Sequence, residues 1–125
     1  MTDPISDMLV RLQNAARVGK GALSMPYSRI KHSSLSVLKK EGYVKDVSTT
    51  QNGGRKILEI SIDPSAIRGI KRISKGSRRV YLGARDLRPV MRGHGLLVLT
   101  TPLGVMTGLE ARRRGVGGEP LFEIW

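Results

Sequence analysis

The chain has 125 residues and no cysteine, and 22 Lys and Arg against 10 Asp and Glu give it a formal net charge of +12. The absence of cysteine excludes a disulfide framework, a four-cysteine zinc site and a thiolate nucleophile. The longest apolar run, residues 96–99, is far shorter than the roughly 20 residues that span a bilayer. The charge indicates a polyanionic partner, which leaves nucleic acid, an anionic membrane or an acidic protein, with nucleic acid favoured.

The first half of the chain predicts two helices around a short strand. Asp3 and Gly19 are typical of the start and end of a first helix, and Ser28 and Gly42 of a second. Apolar residues recur at helical spacing in both segments. Residues 23–25 between them are extended, because the proline that follows disfavours helix in the residue before it.

This half ends with a predicted hairpin, followed by a short segment in which the alternation of apolar and polar residues stops. An Asn-Gly pair within residues 51–54 is a strong hairpin signal, and residues 57–62 alternate apolar and polar side chains. Asp-Pro-Ser at 63–65 is the best candidate for a linker. We therefore expect an α+β fold of two small domains: an N-terminal α/β domain at 1–63 (helix-strand-helix-strand-strand), and a C-terminal, mainly β domain with a short helix at 64–125.

The second half predicts mostly strand. A buried strand at 96–99 is followed by a tight loop at 100–104, and the Thr107-to-Glu110 spacing is typical of a helix cap. The remaining predicted elements are short strands at 70–73 and 79–82, a helical turn from Asp86 through Val90 and Met91, a helix ending at Arg114, a glycine stop at 115–118 and a strand at 121–125.

Positive charge is concentrated in the second half. Residues 1–63 carry a net charge of +4 and residues 64–125 carry +8, and no acidic residue lies between Asp63 and Asp86. Isoleucine and valine are interleaved with these cations. The segment can therefore be anchored by its apolar side while it presents cations, which we interpret as a binding surface rather than only a solvated face.

No catalytic or metal site is readable. The two histidines, His32 and His94, fit no metal-ligand spacing, and the carboxylates are scattered. Residues 115–118 resemble a phosphate loop in composition only, and a helix stop is the better interpretation. Adjacent hydroxyls in the 100–104 loop can read nucleotide edges, but the loop by itself favours a plain strand-end turn. A DNA-compacting architectural protein and an RNA-processing enzyme remain as alternatives, the latter lacking a visible catalytic constellation.

Longer motifs add a family resemblance. Residues 95–107, followed by 110–112 and 115–119, resemble the C-terminal signature of the bacterial ribosomal protein S8 family. Further similar segments, in the order expected for the family, are residues 3–5, 7–9, 14–15, 39–44, 72–75 and 79–81.

The resemblance implies a structural constituent of the small ribosomal subunit and not an enzyme. It implies binding to the central domain of small-subunit ribosomal RNA, a role in subunit assembly, and neighbouring small-subunit ribosomal proteins as partners. We expect a cytoplasmic protein of the ribosome with no cofactor, no metal, no small-molecule substrate and no membrane association. The C-terminal domain is expected to make most of the RNA-specific contacts.

The resemblance also implies site residues. The family reads Ser-Thr-Ser where this chain has Thr100, Thr101 and Pro102, so Pro102 loses a hydroxyl and an amide donor. Glu119 is expected to contact a base amino group or to hold the threonine loop by an internal bond. The full set of predicted RNA contacts is Lys75, Arg78, Arg79, Tyr81, Thr100, Thr101, Pro102, Gly104 and Glu119, with Arg29 and Lys31 on the second helix.

Overall fold

The structure is a computed structural model that describes residues 3–89 and 93–125. The chain divides into two compact units, Met1–Arg68 and Gly69–Trp125. Within the described residues there are three α-helices and two antiparallel sheets, one of three strands and one of four. The predicted α+β class is confirmed. None of the helices in the described part of the chain is long and apolar enough to cross a membrane.

The first unit packs two helices with a three-stranded sheet of order β1-β3-β2. Apolar residues from both helices and from the sheet are fully or almost fully buried, among them Met8, Leu35 and Leu58. The elements are α1 (Pro4–Val18), β1 (Ala22–Pro26), α2 (Arg29–Lys40), β2 (Asp46–Asn52), β3 (Arg55–Ser61) and a 3-10 turn at Pro64–Ala66.

Side-chain caps fix both helix starts at the residues that the sequence predicts. The Asp3 carboxylate accepts hydrogen bonds from the backbone N–H groups of Ile5 and Ser6, at 3.1 and 3.2 Å. The Ser28 hydroxyl accepts from the Lys31 N–H at 3.2 Å. These bonds satisfy donors that have no partner within the helix.

The predicted hairpin forms, but its turn lies one residue later than the Asn-Gly pair. Asn52 pairs with Arg55 as the last rung of the ladder, so Gly53 and Gly54 form the two-residue loop. Their φ angles are +60° and +80°, which only glycine adopts without strain. Two consecutive positive φ angles are typical of a type I′ turn, whose twist matches the strands.

The second unit is a four-stranded sheet of order β4-β7-β5-β6 with one short helix. Its described core includes Leu87, Leu97, Leu99, Met106 and Ala111. The elements are β4 (Ile70–Arg72), a 3-10 turn at Ala84–Asp86, β5 (Leu96–Thr101), β6 (Gly104–Thr107), α3 (Gly108–Arg114) and β7 (Glu119–Ile124).

Three predictions for the second unit were wrong. Residues 79–82 form no strand: the Val80 N–H donates to the Ser74 hydroxyl, and only Leu82 makes a bridge, to Gly118. Asp86 ends a helical turn instead of starting one, because its carboxylate accepts from Gly83 N–H at 3.2 Å.

Residues 87–89 are not helical, and Val90 and Met91 lie outside the described residues. The third correction concerns the predicted 100–104 loop. It is a hairpin in which Thr100 and Thr101 extend β5 and Gly104 begins β6, a strand that was not predicted from the sequence.

Two glycines bring three backbone segments together in this unit. Gly118 and Leu82 exchange two backbone hydrogen bonds of 2.9 Å. A Cβ on Gly118 would lie 2.1 Å from the Thr100 carbonyl oxygen, and one on Gly117 would lie 2.3 Å from the Leu82 carbonyl oxygen. Both neighbours are backbone atoms, so neither can move aside cheaply. The predicted helix stop at 115–118 forms, with Gly115 as the C-cap of α3, and its last two glycines also admit the close approach of other backbone segments.

We expect Gly118→Ala to lower the free energy of unfolding by about 3 kcal/mol, the upper end of the usual range for overpacking. Urea denaturation followed by circular dichroism measures the change. Gly76→Ala is the matched control, because a Cβ there meets nothing within 4 Å, and we expect a change of about 0.5 kcal/mol or less. Equal stability of the two variants would contradict the packing argument.

Candidate nucleic-acid interface

The hydroxyl of Thr101 closes the β5–β6 turn. It donates to the Gly104 carbonyl at 2.8 Å and accepts from the Leu103 N–H at 3.1 Å. The tip of the turn, Pro102 and Leu103, is exposed, and Gly104 has a φ of +118°. The main role of the Thr101 hydroxyl is therefore to stabilise the turn. Pro102 lies at the tip, where the turn requires no backbone N–H donor.

Thr100 differs from its neighbour in what its hydroxyl does. The residue is half-buried, and within the described residues its side chain has no hydrogen-bond partner. It lies opposite Val105 on one side and Glu119 on the other. Of the two adjacent hydroxyls, the one at Thr100 is thus the one left for an external partner.

Glu119 is buried, and both of its carboxylate oxygens accept hydrogen bonds inside the protein. Its Oε2 accepts from the Ser74 hydroxyl and from Arg79 Nε at 2.9 Å, and its Oε1 accepts from Arg79 Nη2 at 2.7 Å. These internal bonds fit the second of the two expected roles, with one correction. The segment that Glu119 holds is residues 74–80 and not the threonine loop.

The bonds from Arg79 lower the pKa of Glu119 below its ordinary 4.5, helped by the Ser74 hydroxyl and opposed by burial. Ser74 was not singled out from the sequence. It is 1% exposed, and 45 residues separate it from Glu119. A serine within a basic run carries no local signal of such a contact.

The cationic segment projects side chains from a tight turn. Lys75 and Arg78 exchange backbone hydrogen bonds of 2.9 and 3.1 Å, so their side chains lie on directly opposed residues. Like charges in this arrangement repel each other. Neither side chain has an ion-pair partner within the described residues, and the same holds for exposed Arg85. An anionic partner would relieve the repulsion.

Apolar side chains anchor this segment as the sequence predicts. Ile73 packs against the core of the second unit, and its N–H donates to the Leu121 carbonyl at 3.1 Å. Tyr81, a few residues further on, is 76% exposed. An exposed ring of this kind is available for stacking on an unpaired base.

The two predicted contacts on α2 have different surroundings. Arg29 is exposed, but Lys31 is only 4% exposed, and its Nζ lies 3.8 Å from Asp7 Oδ2. Burial lowers the pKa of Lys31, and the charge of Asp7 opposes part of that shift. The stem of Lys31 thus belongs to the packing of the first unit, which does not favour the predicted RNA contact.

Comparison with known proteins identifies the family. The sequence profile described as Ribosomal protein S8 matches residues 3–125. The chain belongs to the ribosomal protein S8 family. This confirms the resemblance found in the sequence.

The similar proteins include three named small ribosomal subunit protein uS8. The one from Acidobacterium capsulatum is 43% identical over 100% of this chain and 98% of its own length. The one from Nitratidesulfovibrio vulgaris strain Miyazaki F is 45% identical and the one from Thermus aquaticus 42%, each over 100% of this chain and 99% of its own length.

Membership makes the chain a structural component of the small ribosomal subunit. The S8 family is not known to be enzymatic, so the prediction of a non-enzyme is confirmed by kinship. In residues 3–89 and 93–125, no cluster of three or more histidines and carboxylates could hold a metal ion.

We expect Glu119→Gln to lower the free energy of unfolding at pH 7 by about 1–3 kcal/mol, because a buried bonded carboxylate is lost. The folded pKa lies below the ordinary 4.5, so the carboxylate stabilises the fold above that pH. This contribution is lost as the pH falls through the folded pKa. Urea denaturation between about pH 5 and pH 3 should show a smaller pH dependence for the variant than for the parent.

The control is Glu59→Gln, which removes an exposed carboxylate on β3 and should change stability by about 0.5 kcal/mol or less at pH 7. Identical pH profiles for the parent and Glu119→Gln would show that Glu119 contributes no carboxylate-dependent stability.

A second prediction concerns the buried ammonium. Lys31→Met keeps an apolar stem and removes the charge, so we expect stability at pH 7 to stay the same or to rise by about 1 kcal/mol. Lys31→Ala removes the stem as well and should lose about 1–2 kcal/mol. Chemical denaturation of the two variants makes the comparison. Equal losses for Met and Ala would mean that the charge itself stabilises the fold.

Proposed function

We propose that the chain binds ribosomal RNA of the small subunit, at an irregular helix in its central domain, and that it assists subunit assembly. In this proposal the second unit, Gly69–Trp125, provides the RNA-specific contacts, and the division into domains 1–63 and 64–125 stays a prediction. The protein acts in the cytoplasm, in the ribosome, beside neighbouring small-subunit proteins. Its membership of the S8 family and its net charge of +12 support this assignment.

One observation carries the proposal. An uncharged hairpin end and a cationic segment are joined through β7, because Glu119 lies opposite Thr100 while its carboxylate binds Arg79. The hairpin offers a hydroxyl and an exposed backbone turn, and the segment offers exposed cations. A surface that combines these two chemistries suits RNA better than it suits an acidic protein.

The hairpin would select the RNA. Regular double-helical RNA hides the base edges in a deep, narrow groove, so sequence-dependent contacts need bulged or unpaired bases. The Thr100 hydroxyl and the exposed turn at 102–104 are small enough to approach a shallow groove. They carry no charge, so they discriminate between RNAs without attracting all of them.

The cations would supply affinity. Lys75, Arg78, Arg79 and Arg85 are exposed in the second unit and Arg29 in the first. Their contacts with phosphates release condensed counterions, which provides most of the sequence-independent binding energy. Tyr81 would stack on an unpaired base. In this scheme Lys31 makes no contact, and Thr101 and Gly104 act through the shape of the turn.

We expect Thr100→Val to cut discrimination between a central-domain RNA fragment and a regular RNA duplex by about 1–2 kcal/mol, roughly 5- to 30-fold. The change keeps the branched side chain and removes only the hydroxyl. Arg78→Ala should weaken binding to both RNAs by a similar factor. Fluorescence anisotropy titrations with the two labelled RNAs give the four dissociation constants.

Each variant has a matched control on the same protein. Thr50→Val makes the same hydroxyl-to-methyl change at an exposed position of β2, and Arg113→Ala removes an exposed arginine of α3. We expect smaller effects from both. The division of roles would be wrong if Thr100→Val and Arg78→Ala acted alike on the two RNAs. Equal affinity of the parent for duplex DNA and the RNA fragment would favour a DNA-compacting protein instead.

A further inference from the structure

The surroundings of Glu119 argue against a direct contact between this carboxylate and RNA. The residue is 8% exposed, and three donors already occupy its two oxygens. The remaining lone pair, on Oε1, belongs to a carboxylate that is almost fully buried, so a base amino group has little access to it. The exposed partner in the cluster is Arg79, whose side chain is 65% exposed against 11% for Glu119.

The way Arg79 is held leaves one edge of its guanidinium available. Glu119 binds the Nε side through Nε and Nη2, at 2.9 and 2.7 Å. A guanidinium has five N–H donors in a fixed plane, so this side-on pair leaves three of them, and two of the three form the edge between Nη1 and Nη2. That edge matches the spacing of two phosphate oxygens.

The backbone around Arg79 is also fixed. The Ser74 hydroxyl donates to Glu119 and accepts from the Val80 N–H at 3.1 Å, and the Ser74 N–H donates to the Pro120 carbonyl at 3.2 Å. The segment that carries Arg79 is thus tied to β7 on both sides of its turn. Holding a flexible side chain in its binding geometry before the ligand arrives lowers the cost of binding.

We propose that Glu119 is a positioning residue: it orients the Arg79 guanidinium so that its free edge binds one backbone phosphate of the RNA, and it touches no RNA itself. This inference rests on the proposed function and replaces the direct contact expected for Glu119. Lysine at position 79 would keep the charge but would lose the planar fork on which the arrangement depends.

The sign of the effect distinguishes positioning from simple charge. Glutamine at position 119 removes a negative charge close to a polyanion, so electrostatics alone predict tighter RNA binding. Loss of positioning predicts weaker binding instead. A purely structural role would lower stability without weakening RNA binding by the folded protein.

The test is a double-mutant cycle in RNA affinity with Glu119→Gln and Arg79→Lys, using the central-domain RNA fragment and full-length protein shown to be folded by circular dichroism. We expect Glu119→Gln to weaken binding about fivefold to tenfold in the parent and less than about twofold in the Arg79→Lys background. Glu110→Gln is the control, because it removes the same charge from an arginine pair on α3, with Arg114, at 3.0 Å. It should leave affinity equal or slightly higher.

Two results would overturn the inference. Unchanged or tighter binding by Glu119→Gln would reduce its role to folding. An equal loss in both backgrounds would mean that Glu119 contacts the RNA independently of Arg79. Both results differ from the one expected if the proposed function itself were wrong. In that case the parent protein would show no preference for the RNA fragment over a regular duplex.

Discussion

The second unit depends on one short segment, Gly117 to Glu119, where three stretches of backbone meet. The two glycines allow the carbonyl oxygens of Thr100 and Leu82 to approach to distances that no side chain would tolerate. The carboxylate that follows then binds Ser74 and Arg79. Residues 74–82 form no continuous strand, so these contacts, and not a ladder of backbone hydrogen bonds, attach that segment to β7. The same segment therefore sets both the packing of the unit and the geometry of its exposed arginine.

The proposed function assigns two tasks to one small sheet. It assigns attraction to exposed cations on a turn where Lys75 and Arg78 lie on directly opposed residues. It assigns selection to an uncharged hairpin in which the Thr100 hydroxyl has no hydrogen-bond partner within the described residues. The first unit is different, since the buried ammonium of Lys31 pairs with Asp7 within the fold. Net charge alone would not have distinguished these roles, because it counts a buried lysine and an exposed arginine equally.

The sequence predicted the elements whose signals are local. The caps at Asp3 and Ser28 and the Asn-Gly turn signal act within a few residues, and the helices and the hairpin form at or next to the predicted positions. Predictions failed where a distant partner decides the outcome. The sequence pattern predicts a strand at residues 79–82. Hydrogen bonds from Val80 to Ser74 and from Arg79 to Glu119 hold the segment in a non-strand conformation instead. The exposed cations of the second unit lie in the basic stretch that the sequence marks, whereas the burial of Lys31 and Glu119 follows from tertiary packing.

In the proposed function, charge attracts the RNA and the uncharged hairpin selects it. A salt titration of the parent protein separates these two contributions, with dissociation constants for the central-domain RNA fragment and for a regular duplex of equal length between about 50 and 300 mM salt. We expect both affinities to fall steeply with parallel logarithmic slopes, so that the ratio between them stays constant. If the ratio shrank towards one as salt rose, selection would itself be electrostatic, and the hairpin would not be the element that selects the RNA.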